Sequence, residues 1–415
     1  MRSTFILACL ASSVCTVFAG PVADRVPITK RAGPVNPNSY IMQVVSSHPQ
    51  TRLLLTPSLP NRKLKDGVSK SAHLKTLLSG SKVAYTYGPA FQGYAAQLDD
   101  QALDYVRKSK DVESIFQDVQ VQLEEISTLE GQVAARGMGY ESSPLVKRVN
   151  GTGVDIYQID TGIYTAHTQF GGRAKWGATF GGYPNADGNG HGTALASIIV
   201  GSTYGVATRA NITAIKSESI KINHGTSITH MIDLAPQAFG DDGSANLSDI
   251  ISGINWVITN SGPAATRRPS IISITVTISG YQPFDSAITN ALNAGIHVVV
   301  AAGDQNVDAS TISPARVAAA VTVGAVAANG SKLATSNFGS VVDVWGPGRN
   351  VPVAWISSPS AALTLVGTTA SAASNVAGIL AVAIDNHGNK SPAALQADLK
   401  SNAQTVNGFL IPKVW

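Results

Sequence analysis

From residue 151 onward the chain alternates apolar, strand-like runs with helical ones, and few folds accept that alternation. The strand-like runs are "GVDIYQID", "SIISITV", "IHVVVAAG" and "AAAVTVGAV", and helical segments such as "LSDIISGINWVITNS" and "FDSAITNALNAG" lie between them. A strand that is apolar at nearly every position has no wet face, so both of its faces must be covered. The predicted architecture is α/β: a doubly wound, mostly parallel sheet with helices on both sides. Functional sites in such sheets gather beyond the carboxyl ends of the strands. Hydrophobic residues at 44% and charged residues at 13% supply the core and exclude a disordered chain.

A smaller unit precedes this domain. Over residues 38–122, "SYIMQVV", "GYAAQL" and "VESIFQDVQVQL" read as strands, and "SKSAHLKTLLSG" and "DDQALDYVRKSKD" as helices. The order is β-α-β-β-α-β, a ferredoxin-like α+β unit with an antiparallel sheet. Residues 20–37 are expected to be a flexible lead. Residues 123–150 read as a polar linker with a dibasic Lys147-Arg148, and residues 151–415 as the large domain.

The first 19 residues read as a secretory signal peptide. Arg2 opens it, Phe5 to Val17 is apolar but too short to span a bilayer, and Val17-Phe18-Ala19 suits a cleavage site. Secretion is therefore expected. Cys9 and Cys15 are the only cysteines, both inside this segment, so the mature chain has no disulfide, thiolate metal site or catalytic cysteine. Sequons at Asn150, Asn211, Asn246, Asn329 and Asn389 are candidate glycan sites. A net charge of +4 without a basic cluster argues against nucleic-acid binding. No later stretch is apolar enough for a membrane helix, and a monomer is expected. His73, His224, His230, His297 and His387 show no metal-ligand spacing.

Two motifs carry chemistry. "YQIDTGI" places Asp160 at the end of a strand before a glycine turn, where a carboxylate can orient an imidazole. "DGNGHGTALASII" places His191 at the head of a helix with glycine on both sides, which lets backbone or substrate approach. Asp followed by His is two thirds of a nucleophilic triad. A third segment, "GTTASAASNVAG" at 367–378, is where a serine nucleophile would then be sought.

These segments, with "STYGVA", "AAGDQNVDAS", "SNFGSVVDVWGPG" and "NVAGILA" in order, resemble the secreted subtilases of the proteinase K type from about residue 38 to the end. "SYIMQV", "GYAAQL" and "VESIFQD" resemble the inhibitor-like propeptide of that family. The resemblance implies a subtilisin-like fold, Asp160 as the orienting acid and His191 as the general base. It implies a protein or peptide substrate or ligand, the chain's own propeptide as a partner, and no required cofactor. It also implies a structural calcium ion at Asp343, in "SVVDVWGPG".

The departures from the family pattern are as informative. The nucleophile is expected in Gly-Thr-Ser-Met-Ala-Thr-Pro-His-Val-Ala-Gly. Aligned on Gly367-Thr368, the serine position is Thr369; aligned on Val376-Ala377-Gly378, it is Ala370; Ser371 fits neither alignment. The family's oxyanion asparagine is Asp304 here, and an ionised carboxylate repels the charge that asparagine would stabilise. A protonated Asp304 can donate, and the acid-active sedolisins place an aspartate there; "GTTASAA" resembles their nucleophile segment locally. The substrate-lining Ser-Leu-Gly-Gly reads Thr277-Ile278-Ser279-Gly280, where the added side chain at Ser279 is expected to narrow a specificity pocket. The resulting expectation is a catalytically impaired serine-endopeptidase homologue that acts as a binder, decoy or inhibitor. The alternative is an active endopeptidase that hydrolyses peptide bonds with Thr369 or Ser371 as nucleophile.

Overall fold

The structure is a computed structural model, and it describes residues 25–31, 34–45, 70–123, 128–129, 150–219 and 244–415. The expected signal peptide at 1–19, most of the expected linker with Lys147-Arg148, and His224 and His230 lie outside the described residues.

The large domain is built on seven parallel strands. Their order across the sheet is Val344–Pro347, Val321–Val326, His297–Ala301, Ser270–Ile274, Asp155–Asp160, Asn211–Lys216 and Ala174–Thr179. Alternate residues of the central strands face opposite cores, as the two-residue strand period requires. Tyr157, Ile159, Ile272, Ile274, Val298 and Val300 enter one core; Ile156, Ile271, Val299 and Ala301 enter the other. This is the predicted doubly wound α/β arrangement, and the continuous apolar strands are its direct cause.

The helix Thr369–His387 lies within the second core and is buried from Thr369 through Ile384. Its small residues permit this. A Cβ on Gly378 would sit 2.7 Å from the Val206 side chain. Thr368 caps the helix through its side-chain oxygen, which accepts from Ser371 N.

The smaller unit has the expected β-α-β-β-α-β order, with strands Val35–Val44, Ser81–Thr86, Gly93–Leu98 and Val112–Gln122 and helices Lys70–Leu74 and Asp100–Lys108. The first helix is shorter than the sequence predicts: it covers five residues and gives way to turns before Gly80. The lead also differs from expectation in its described part. Ile28–Thr29 pairs in parallel with Ile115–Phe116, and Arg25 is ion-paired with Asp104 at 2.9 Å, so this stretch belongs to the unit's sheet.

The smaller unit docks on the large domain through its sheet. Val112–Gln122 continues antiparallel onto Ser244–Asn246, and Asp118 accepts from a backbone N–H in the first turn of the helix Leu247–Asn260 that follows. The buried Asp118 carboxylate accepts from Ser248 N at 3.1 Å, Ser248 Oγ at 2.7 Å and Ser39 Oγ at 3.1 Å. Tyr281 donates its hydroxyl to Gln117 O at 2.8 Å, and Asn290 Nδ2 donates to Ala90 O at 2.9 Å. Among the described residues, no helix is long and apolar enough to cross a membrane.

Candidate active site

Asp160 ends the strand Asp155–Asp160, and His191 opens the helix His191–Val200. The two side chains meet at the carboxyl edge of the sheet: His191 Nδ1 lies 2.8 Å from Asp160 Oδ1, with both groups almost fully buried. Thr161 N donates to the same Oδ1 at 2.7 Å and fixes the carboxylate. Gly192 allows the approach, since a Cβ there would lie 2.0 Å from Gly162 O. Gly190 takes a left-handed φ of +96° as the helix cap.

A second carboxylate holds the histidine loop from behind. Asp187 accepts from Thr161 Oγ1 at 2.8 Å, Gly190 N at 2.8 Å, Thr193 N at 2.9 Å and Thr193 Oγ1 at 2.5 Å. Burial outweighs these donors and holds its carboxyl above the usual carboxylate range. For His191, burial pulls the imidazole pKa down, while the charge and hydrogen bond of Asp160 and the charge of Asp187 push it up. The net value is above that of an ordinary histidine. Neither Asp187 nor the threonines that bond it were singled out from the sequence, although "DGNGHGT" contains Asp187.

Thr369, Ala370 and Ser371 are separated by their partners. Thr369 is the first residue of its helix. Its N–H donates to Asp304 Oδ1 at 3.0 Å and Oδ2 at 2.9 Å, its hydroxyl donates to Asp304 Oδ2 at 2.8 Å, and its Oγ1 accepts from Gly303 N at 3.1 Å. Ala370 packs in an apolar cluster with Ala194, Leu195 and Ile198. Ser371 is fully buried, and its hydroxyl lies 3.2 Å from Thr368 Oγ1. Among the described residues, no hydrogen bond joins His191 to any of the three. A helix N-terminus favours an anion, and here the anion comes from the chain's own Asp304.

The loop that presents Asp304 is held by Asn337, a residue sequence reasoning passed over. Asn337 is fully buried. It donates to Ala302 O at 2.8 Å and accepts from Gln305 N at 3.1 Å and Val307 N at 2.9 Å. Buried amides with both ends used in this way specify a loop conformation. Only its place in "SNFGS" could have flagged it.

Ser279 and Gly280 lie on the strand Ile278–Ser279, which pairs with Ile312–Ser313, and on the residue after it. Ser279 is exposed. Gly280 lies under the Arg316 guanidinium, where a Cβ would be 1.9 Å from Nη1.

The residues at Asp343 do not fit a calcium ion. Lys400 Nζ lies 3.0 Å from Oδ1, while Gln396 Nε2 at 2.9 Å and Thr322 N at 3.0 Å donate to Oδ2. Donor groups already serve both carboxylate oxygens. Among the described residues, no group of three or more His, Cys, Asp or Glu forms a metal cluster.

A model described as "Subtilase family" matches residues 151–412, and one described as "Peptidase inhibitor I9" matches residues 44–124. The chain is 37% identical over 319 residues to Subtilisin-like protease 2 of Pseudogymnoascus destructans, covering 75% of this chain and 73% of the relative. It is 32% identical over 405 residues to Subtilisin-like protease 2 of Arthroderma otae, covering 91% and 88%. The crystal structure of a cold adapted subtilisin-like serine proteinase aligns with a TM-score of 0.56 and 30% identity, covering 66% of this chain and 96% of the other.

Proposed function

The chain belongs to the subtilase family, and from that premise we propose that it is a secreted family member whose active site is closed by its own Asp304 and whose peptidase activity is lost or severely reduced. The contact between Thr369 and Asp304 supports this reading. Acyl transfer at such a site needs a free hydroxyl beside the base and N–H donors free to stabilise the developing oxyanion. Here the hydroxyl donates to a carboxylate, and the same carboxylate takes the backbone N–H at the helix start. An approaching carbonyl oxygen meets negative charge where it needs donors. Loss of one oxyanion donor costs about 10²–10³ in rate, and loss of the serine nucleophile about 10⁶. The threonine methyl further restricts rotation about χ1.

In this proposal the domain at 151–415 keeps its cleft for protein or peptide ligands. The unit at 38–122 stays attached unless another peptidase cuts near Lys147-Arg148. A second reading, an active endopeptidase with Thr369 as nucleophile at acidic pH, draws on the paired Asp160 and His191. It requires a protonated Asp304. The test is hydrolysis of casein and peptide libraries across pH beside a His191→Ala control. Histidine-dependent turnover supports the second reading, and its absence supports the first.

A further inference from the structure

Asp343 stands at the entrance to the strand Val344–Pro347; Ala318 and Ala320 stand at the entrance to its neighbour, Val321–Val326. A single atom ties the three together. Gln396 Nε2 donates to Ala318 O at 3.0 Å, Ala320 O at 2.8 Å and Asp343 Oδ2 at 2.9 Å. A primary amide has two hydrogens, so three acceptors are one more than it can serve singly. One carboxylate and two main-chain carbonyls converging on one point is a donor set suited to a hard cation such as calcium. The formal charge such a cation would bring sits beside it instead, on Lys400 at 3.0 Å from Asp343 Oδ1.

We infer that Gln396 and Lys400 jointly occupy a cation position at Asp343, so that this corner of the fold is metal-free by construction. The two residues are four apart on the helix Pro392–Ser401 and therefore share one face. Leu395 and Leu399 bury the helix in the core and fix that face. The amide satisfies the buried Ala320 carbonyl and the more exposed Ala318 carbonyl without bringing a divalent charge out of water, which is costly. The ammonium neutralises Asp343 from the more exposed side. A calcium ion entering this site would have to displace the amide and would then lie against a like-charged ammonium. This inference does not depend on whether the active site turns over.

The test uses the full secreted chain and thermal unfolding in chelator and in calcium. The wild type and Asp343→Asn are expected to show the same difference between the two conditions, since any calcium they bind is bound elsewhere. The pair Gln396→Ala with Lys400→Ala is expected to unfold at lower temperature in chelator. It should then gain about 2–4 °C more with calcium than the wild type does, and adding Asp343→Asn should remove that gain. A calcium response in the wild type that Asp343→Asn abolishes would overturn the inference without use of the pair. So would a folded pair variant with no added calcium response.

Discussion

Thr369 donates its hydroxyl to Asp304 Oδ2 at 2.8 Å and its backbone N–H to both oxygens of the same carboxylate. The residue proposed for the nucleophile's place and the residue proposed for the oxyanion donor's place are thus bonded to each other. If these bonds are structural, Thr369→Ala, which removes both the hydroxyl's bond to Asp304 and its bond from Gly303 N, lowers stability by about 1–3 kcal/mol and leaves peptide hydrolysis unchanged. Urea unfolding and a fluorogenic peptide assay read the two effects separately.

The docked interface carries a pH dependence. Burial raises Asp249 to about 6, opposed by a hydrogen bond from Tyr85 and reinforced by the charge of Asp118. Because the folded-state pKa lies above the unfolded one, the native state binds the extra proton between the two values. Stability from this group is therefore full at low pH and falls as pH rises from about 4 to about 6. Two units correspond to at most about 3 kcal/mol. Asp249→Asn should flatten that part of the stability profile, measured by unfolding at a series of pH values.

Asp118 links the two parts of the molecule through Ser39 on one side and Ser248 on the other. Asp118→Ala leaves the Ser248 N–H at the helix start without its side-chain cap. The expected cost is about 1–3 kcal/mol. It should appear as faster limited proteolysis of the N-terminal unit, while the 151–415 domain stays resistant.

Gly192 has no room for a side chain, since a Cβ would lie 2.0 Å from the Gly162 carbonyl. Gly192→Ala should displace His191 from Asp160 and destabilise the fold by about 1–3 kcal/mol, as for an overpacked core position. The chemical shift of the proton on His191 Nδ1, observed by NMR, should move or be lost.

Much of this was legible in the sequence because it rests on periodicity and short motifs. The strands at 155–160, 270–274 and 297–301 are read from apolar runs, and Asp160 and His191 from the glycine motifs around them. The segment at 367–378 was not legible. One extra residue leaves two alignments, and only the helix start at Thr369, capped by Thr368, assigns the contact with Asp304. The lead at 28–29 reads as loop because two residues carry no period; its strand character comes from pairing with residues 115–116, far along the chain. The side-chain partners of Asp343 come from a helix 53 and 57 residues away, a distance no local pattern spans.

The most direct test of the central claim places serine at 369 and asparagine at 304. Hydrolysis of casein and a peptide library would be measured from about pH 3 to about pH 9, so that a general acid or base acting at either end of the range is seen. The proteins are the wild type, His191→Ala, and the pair Thr369→Ser with Asp304→Asn, with the N-terminus of each secreted product sequenced. The account predicts that the wild type matches His191→Ala and keeps its N-terminal unit uncut or ends at the dibasic site. The double variant should gain histidine-dependent turnover of at least about 10²-fold, the value of one oxyanion donor. Wild-type hydrolysis at any pH that vanishes in His191→Ala would contradict it.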